Sequence, residues 1–101
     1  VVAFGLGGIL TEVLGDITYR VAPFDERTAR DMIGGLRGRA LFEGVRGRPA
    51  ADIDALCREL ADLSRFAWRE RERLAELDIN PLRVREAGHG VVALDALVVY
   101  K

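Results

Sequence analysis

Residues 76–84 are ELDINPLRV, and their alternation predicts a strand that stops at a proline. Successive side chains of a strand point to opposite faces, so Glu76, Asp78 and Asn80 lie on one face and the apolar residues between them lie on the other. Pro81 disfavours the helical region for Asn80 and lacks an amide hydrogen, so it ends the strand where the polar groups gather. This polar face is either simply solvated or holds a cation.

The next strand runs back beside the first one and brings a further acid to the same face. A turn centred between Gly88 and His89 sets Asn80 opposite Leu97 and diagonal to Asp95. Asp95 therefore shares the polar face, a result that survives a register shift of two residues but not a single-residue bulge. Oxygen ligands of this kind suit Mg²⁺, which commonly takes one or two of them from protein and the rest from water and phosphates.

The rest of the chain alternates between strand and helix patterns. Residues 1–23 predict strand, turn, strand, turn and strand, with ILTEVL (residues 9–14) as the middle strand. Asp25 is the predicted N-cap of a helix that ends near residues 34–35. From about residue 50 to residue 73, apolar residues at spacings of three and four predict a helix facing the core, on which Phe66 and Trp68 pack. The predicted fold class is α+β, a largely antiparallel sheet packed with helices.

Composition places the chain among compact globular domains. With 101 residues and a formal net charge of −1, it forms one domain and shows no basic excess that would favour nucleic acid. It contains no apolar run of about 18 to 20 residues and no signal peptide, so we expect no membrane span. The single cysteine, Cys57, cannot form an internal disulfide, which favours a cytoplasmic location. Because both ends lie close to apparent strands, we expect a fragment of a longer chain, with exposed faces that favour self-association.

Two glycine-rich motifs have structural interpretations. The cluster GLGG at residues 5–8 lacks the spacing of dinucleotide-binding or phosphate-binding loops, and it predicts a tight turn or a close backbone approach. His89 lies between two glycines, which is typical of an exposed turn residue with a structural or neutral role.

Three collinear motifs resemble one family. ELDINPL, followed about fifteen residues later by ALDA, resembles the metal-binding end of the ATP-grasp domain in nucleoside-diphosphate-forming acyl-CoA synthetases, such as ADP-forming acetate–CoA ligases and the succinyl-CoA synthetase beta chain. FGLGGILTEVLGDITYRVAPF and LFEGVRGRPAADIDAL are similar to the same family. The resemblance implies that residues 1–101 are the C-terminal portion of an ATP-grasp domain. That family couples acyl-CoA thioester chemistry to ATP/ADP phosphoryl transfer through a phosphohistidine on a mobile segment.

The resemblance also implies roles for individual residues. Asn80 and Asp95 would bind the Mg²⁺ that accompanies ATP or ADP, and Asp78 would lie near the metal or the incoming phosphohistidine. Arg46, in GVRGRP, either docks the phosphate-bearing segment or is a solvated loop arginine. Glu12 either faces the nucleotide cleft or lies on a solvated strand. Nucleotide is the expected direct partner, while acyl-CoA and the phosphohistidine segment reach the site through other domains.

Two classes of function remain open. The first is the metal-bearing half of a catalytic ATP-grasp domain. The second is a non-catalytic module that senses acyl-CoA, since synthetase-like regions are also fused to protein acetyltransferases. Retention of Asp78, Asn80 and Asp95 favours catalysis. The isolated chain is expected to lack synthetase activity, because it contains neither the family's nucleotide-clamping lysine nor its CoA-binding domain nor its phosphohistidine.

Overall fold

The computed structural model describes residues 1–44 and 47–101 and confirms the α+β class. Each of its three two-stranded sheets is antiparallel, pairing β1 with β2, β3 with β6 and β4 with β5. No helix in the described ranges is long and apolar enough to cross a membrane. In chain order the elements are β1 (Val2–Gly5), α1 (Gly8–Glu12), β2 (Ile17–Arg20), α2 (Glu26–Gly34), a 3₁₀ helix (Arg39–Phe42), α3 (Ile53–Arg69), β3 (Leu74–Ile79), β4 (Leu82–Val84), β5 (Val91–Ala93) and β6 (Ala96–Tyr100).

The loop between β1 and β2 corrects one prediction, because residues 9–14 do not form a strand and α1 lies there instead. Gly7 and Gly8 adopt φ angles of 82° and 57°, in the left-handed region that favours glycine. The Gly7 N–H donates to Thr11 Oγ1 over 2.8 Å. A Cβ atom on Gly5 would lie only 2.7 Å from that same oxygen. The close backbone approach predicted for GLGG is confirmed, and this turn chemistry outweighs the strand propensity of the residues that follow.

The core lies where α2 packs against α3. The Asp25 side chain caps α2 as predicted, accepting the Thr28 N–H at 3.0 Å, and the helix ends at Gly34. Fully buried Ser64 is the polar member of this interior, where its hydroxyl accepts the Phe24 N–H at 3.0 Å and contacts the Phe24 carbonyl at 3.1 Å. The buried apolar residues of the cluster are Val2, Phe24, Ala29, Met32, Ile33, Leu36, Phe42, Leu56, Cys57 and Leu60.

The helix α3 is shorter than predicted, and one of its aromatic residues is misassigned. Phe66 is half-buried, in keeping with packing, but Trp68 is 46% exposed. The Arg71 guanidinium lies 4.1 Å from the centre of the Trp68 ring, so the indole is covered by a cation rather than by the core. Trp68 lies one turn or less from the end of the helix, where the apolar pattern continues but the side chain is no longer buried.

The C-terminal strands form one paired ribbon. The pairs Asp78–Leu97 in β3 and β6 and Leu82–Ala93 in β4 and β5 belong to the same register. The turn is centred between residues 87 and 88, since the His89 N–H donates to the Glu86 carbonyl at 3.0 Å. This centre is one residue earlier than predicted, so the whole pairing shifts by two residues.

Candidate functional site

The polar face of the ribbon consists of Asp78, Asn80 and Asp95. Asp78 is opposite Leu97, and the Asn80 N–H donates to the Asp95 carbonyl over 3.0 Å. Residues opposed across antiparallel strands point to the same side, and so do alternate residues of one strand. All three side chains therefore lie on one side, and all three are exposed to solvent.

The polar face ends at the junction of β3 and β4, where the half-buried residues change from odd-numbered to even-numbered positions. At the end of β3 the half-buried residues have odd numbers, whereas in β4 they have even numbers. The Asn80–Pro81 peptide bond between these strands is cis. The Leu94 N–H still donates to the Pro81 carbonyl at 3.0 Å, so the two sides of the ribbon stay paired through the break. Asn80 and Asp95 thus lie where the buried side of the ribbon changes, and both are exposed.

The polar face carries negative charge that no described cation neutralises. Within residues 1–44 and 47–101, neither Asp78 nor Asp95 forms a salt bridge, and the Asp95 carboxylate accepts only the Ala96 N–H at 2.9 Å. Carboxylate and amide oxygens are ligands for a hard cation. No group of three or more His, Cys, Asp or Glu side chains in those ranges could hold a metal ion. The donor set fits Mg²⁺, which usually keeps water and phosphate ligands beside one or two from protein.

The two other predicted site residues are Glu12 and Arg46. Glu12 is exposed at the last position of α1, in a helix rather than the expected strand, and its side chain forms no hydrogen bond or ion pair with the described residues. Arg46 lies outside the described residues. Next to it, a Cβ atom on Gly44 would lie 2.5 Å from the Arg48 carbonyl oxygen, so the backbone comes close to itself there.

One organising residue that sequence reasoning missed is Asp52, which joins α3 to the hairpin tip. One carboxylate oxygen caps α3 by accepting the Ala55 N–H at 3.1 Å. The other oxygen accepts the N–H groups of Gly88 at 3.1 Å and Gly90 at 2.8 Å. These backbone donors, Gly90 above all, hold the pKa of the Asp52 carboxyl below its usual range. An aspartate just before an apolar helical run is an N-cap signal that the sequence did contain.

Asp16 has a similar role in the β1–β2 loop. Its buried carboxylate accepts the N–H groups of Arg37 at 2.7 Å and Gly38 at 2.8 Å, which ties the β1–β2 loop to the segment after α2. The Arg37 N–H is the main reason why the pKa of the Asp16 carboxyl is lowered. Asp16 and Asp52 therefore hold the framework together and are not free for chemistry.

Comparison with known proteins gives consistent matches along the chain. The beta subunit of an ADP-forming acetate–CoA ligase from Pyrococcus furiosus is 37% identical over 100 residues, which are 99% of this chain and 42% of that subunit. An acetyl-coenzyme A synthetase from Ca. Korarchaeum cryptofilum, solved with coenzyme A, acetyl-coenzyme A and a phosphorylated phosphohistidine segment, matches with a TM-score of 0.89 and 34% identity, covering 98% of this chain and 43% of that one.

A second structure of that synthetase contains coenzyme A and Mg-AMPPCP, and its phosphohistidine segment points towards the nucleotide binding site. It matches with a TM-score of 0.87 and 33% identity, covering 98% of this chain and 45% of that one. The chain thus spans less than half the length of these relatives. A family model described as an ATP-grasp domain matches residues 1–99. Together with the agreement in fold, this match shows that the chain belongs to the ATP-grasp domain family.

Proposed function

We propose that residues 1–101 form the C-terminal portion of an ATP-grasp domain and supply the metal- and nucleotide-phosphate-binding groups of an ADP-forming acyl-CoA synthetase. The observation that carries the proposal is the pairing of Asn80 with Asp95, whose backbone groups meet at 3.0 Å and whose side chains face solvent together. Relatives named as ADP-forming CoA ligases and a similar synthetase solved with Mg-AMPPCP support it.

The residues of the polar face have different proposed roles, metal binding for two of them and orientation of the phosphohistidine for the third. Asn80 and Asp95 would hold Mg²⁺ through one amide oxygen and one carboxylate oxygen, leaving its other positions to water and to the phosphates of ATP or ADP. When bound there, the ion would neutralise charge that develops on the transferred phosphoryl group. Asp78 places a second carboxylate on the same side, where it can accept an N–H from an approaching imidazole and so orient a phosphohistidine.

Two further residues complete the proposed site. Glu12 is assigned to the nucleotide side of the cleft, and Arg46 to docking of the phosphate-bearing segment, because a guanidinium binds phosphate through paired hydrogen bonds. Acyl-CoA and the phosphohistidine segment would reach the site from other parts of the enzyme. The exposed position of Glu12 leaves its carboxylate available for such a contact.

The experiment uses the full-length protein that contains this chain and measures its phosphorylation rate as a function of Mg²⁺ concentration. Asn80→Ala and Asp95→Ala each remove one proposed metal ligand and no buried apolar surface, so both should slow phosphoryl transfer severely and demand more Mg²⁺. His89→Ala is the control, since His89 is exposed at the hairpin tip. Wild-type rates with normal Mg²⁺ dependence in both alanine variants would contradict the proposal.

The same preparation separates the catalytic role from the sensing role. A full-length protein that binds acyl-CoA but never forms a phosphoenzyme would favour the non-catalytic module. The isolated chain should form no ATP from acyl-CoA, phosphate and ADP, because the polar face holds a metal without supplying a phosphate carrier. Acyl-CoA-dependent ATP formation by residues 1–101 alone would refute this expectation.

A further inference from the structure

A second cluster of charged side chains lies near the tip of the hairpin. A groove of about 370 Å³ is lined there by Arg83, Val84, Arg85, Glu86 and His89. None of these residues belongs to the polar face. We propose that the arginine pair of this groove, Arg83 and Arg85, binds the phosphate groups of a small ligand without the help of a metal ion.

The backbone places the two guanidiniums on the same side. Arg83 lies in β4 between two half-buried residues, so its own side chain points away from the core. Arg85 is two residues further along extended backbone, and alternate residues about 7 Å apart face the same way. Two planar guanidiniums at that separation can grip one phosphate group from both sides or contact both phosphates of a diphosphate.

The donors of both guanidiniums are available for a ligand. Within the described part of the chain, neither side chain forms a hydrogen bond or a salt bridge, whereas Arg30, Arg65 and Arg73 are paired with acids. The groove contains one acid, Glu86, and its carboxylate lies 3.2 Å from His89 Nε2. The two arginines carry two positive charges against the one negative charge of Glu86, so the groove is net positive.

Asp52 makes the groove rigid, which lowers the entropy lost when a ligand binds. The Asp52 N–H donates to the Arg85 carbonyl over 2.8 Å, so the base of the Arg85 side chain is anchored. Its carboxylate holds the N–H groups of Gly88 and Gly90 on either side of His89. The Arg85 N–H also closes the hairpin by donating to the Gly90 carbonyl at 3.0 Å.

The size of the groove favours a small ligand over a polypeptide. Its volume of about 370 Å³ is near the lower end of the range of small-molecule sites, roughly 300 to 1,000 Å³. The shared chemistry of the ligand is a phosphate or diphosphate group. Such a group is present in inorganic pyrophosphate, in a nucleoside diphosphate and in coenzyme A. Separate titrations with these three compounds identify which of them the groove binds.

The experiment titrates the 101-residue chain with pyrophosphate, ADP or coenzyme A in the presence of EDTA, by isothermal titration calorimetry. EDTA removes divalent cations, so the polar face contributes nothing. Replacing Arg83 and Arg85 together by glutamine should weaken binding of the preferred phosphate ligand at least about tenfold. The matched control replaces Arg58 and Arg69, both exposed on α3, by glutamine and should change affinity less than about twofold, because it removes the same charge elsewhere.

A lysine variant and an NMR measurement test the proposal further. Arg83→Lys with Arg85→Lys keeps the charge but loses the paired hydrogen bonds, so binding should still weaken. In the wild-type chain, the ligand should shift the NMR signals of the Arg83 and Arg85 side-chain N–H groups. The proposal is overturned if no phosphate probe binds, if both glutamine pairs weaken binding equally, or if polyglutamate binds as tightly as pyrophosphate. Because EDTA is present throughout, this binding takes place without a metal ion, which separates the groove from the proposed metal site.

Discussion

Charge exchange at the polar face tests the metal site without changing its shape. Asp95→Asn keeps a side-chain oxygen but removes a negative charge, whereas Asn80→Asp adds one at the paired position. Both side chains are exposed, and the Asp95 carboxylate accepts only the neighbouring Ala96 N–H. Because neither residue packs in the core, we expect both variants to fold normally and to differ in their affinity for divalent cations.

The size of the effect follows from the exposure of these residues. In water, a unit charge and a dication about 4 Å apart attract strongly enough to change a dissociation constant about thirtyfold. The effect grows in a lower dielectric, but the solvent around Asp95 favours the lower figure. We therefore expect Asp95→Asn to weaken cation binding about thirtyfold at low salt and Asn80→Asp to strengthen it by a similar factor.

The assay uses Mn²⁺ in place of Mg²⁺, because both ions favour oxygen ligands and free Mn²⁺ is counted by its EPR signal. The 101-residue chain is titrated with and without ADP, whose phosphates should tighten binding by completing the coordination shell. Asp31→Asn is the matched control, since Asp31 is an exposed aspartate of α2. Equal changes in Asp31→Asn and Asp95→Asn, or no change in either, would refute the reasoning.

Three further predictions concern the framework and its surface. Ser64→Ala should lower the free energy of unfolding by about 1–3 kcal/mol, because it leaves the buried Phe24 N–H unpaired; an unchanged urea midpoint would contradict this. The lowered pKa of Asp52 stabilises the fold above its unfolded-state pKa of about 3.9. This stabilisation is lost as the pH falls through the lower folded-state pKa, so Asp52→Asn should flatten the acid side of the stability profile. Val98→Lys should reduce self-association in sedimentation velocity, because Val98 is 43% exposed on β6.

Periodic patterns predicted α2 and α3 well, since each of these helices buries an apolar stripe. The spacing of Ala29, Met32 and Ile33 on α2 and of Leu56 and Leu60 on α3 identified residues that are buried in the structure. The N-cap bond of α2 is also local, because Asp25 accepts the N–H of Thr28, so the start of this helix could be predicted from the sequence. In such segments, propensity, pattern and packing agree, and a short stretch of sequence carries the information needed.

The failures occur where a short segment depends on a contact that its own pattern does not contain. The apolar run at residues 9–14 has strand propensity, but the bond from the Gly7 N–H to Thr11 Oγ1 closes a helical turn there. Trp68 continues the helical stripe, yet it lies near the end of α3 with its ring under Arg71. Local side-chain contacts decide both cases, since Thr11 is four residues from Gly7 and Arg71 is three residues from Trp68.

The register of the ribbon shows why the polar face was predictable when the turn was not. The Asp52 carboxylate accepts the N–H groups of Gly88 and Gly90, so a residue 36 and 38 positions away helps to determine the hairpin tip. The observed turn is centred one residue before the predicted centre, which moves the partner of Asn80 from Leu97 to Asp95. A shift of two residues conserves the face on which every side chain lies, whereas a shift of one would exchange the faces. The one irregularity recorded in the β3–β6 ladder, between Leu74 and Glu76, precedes the polar face and leaves this parity intact.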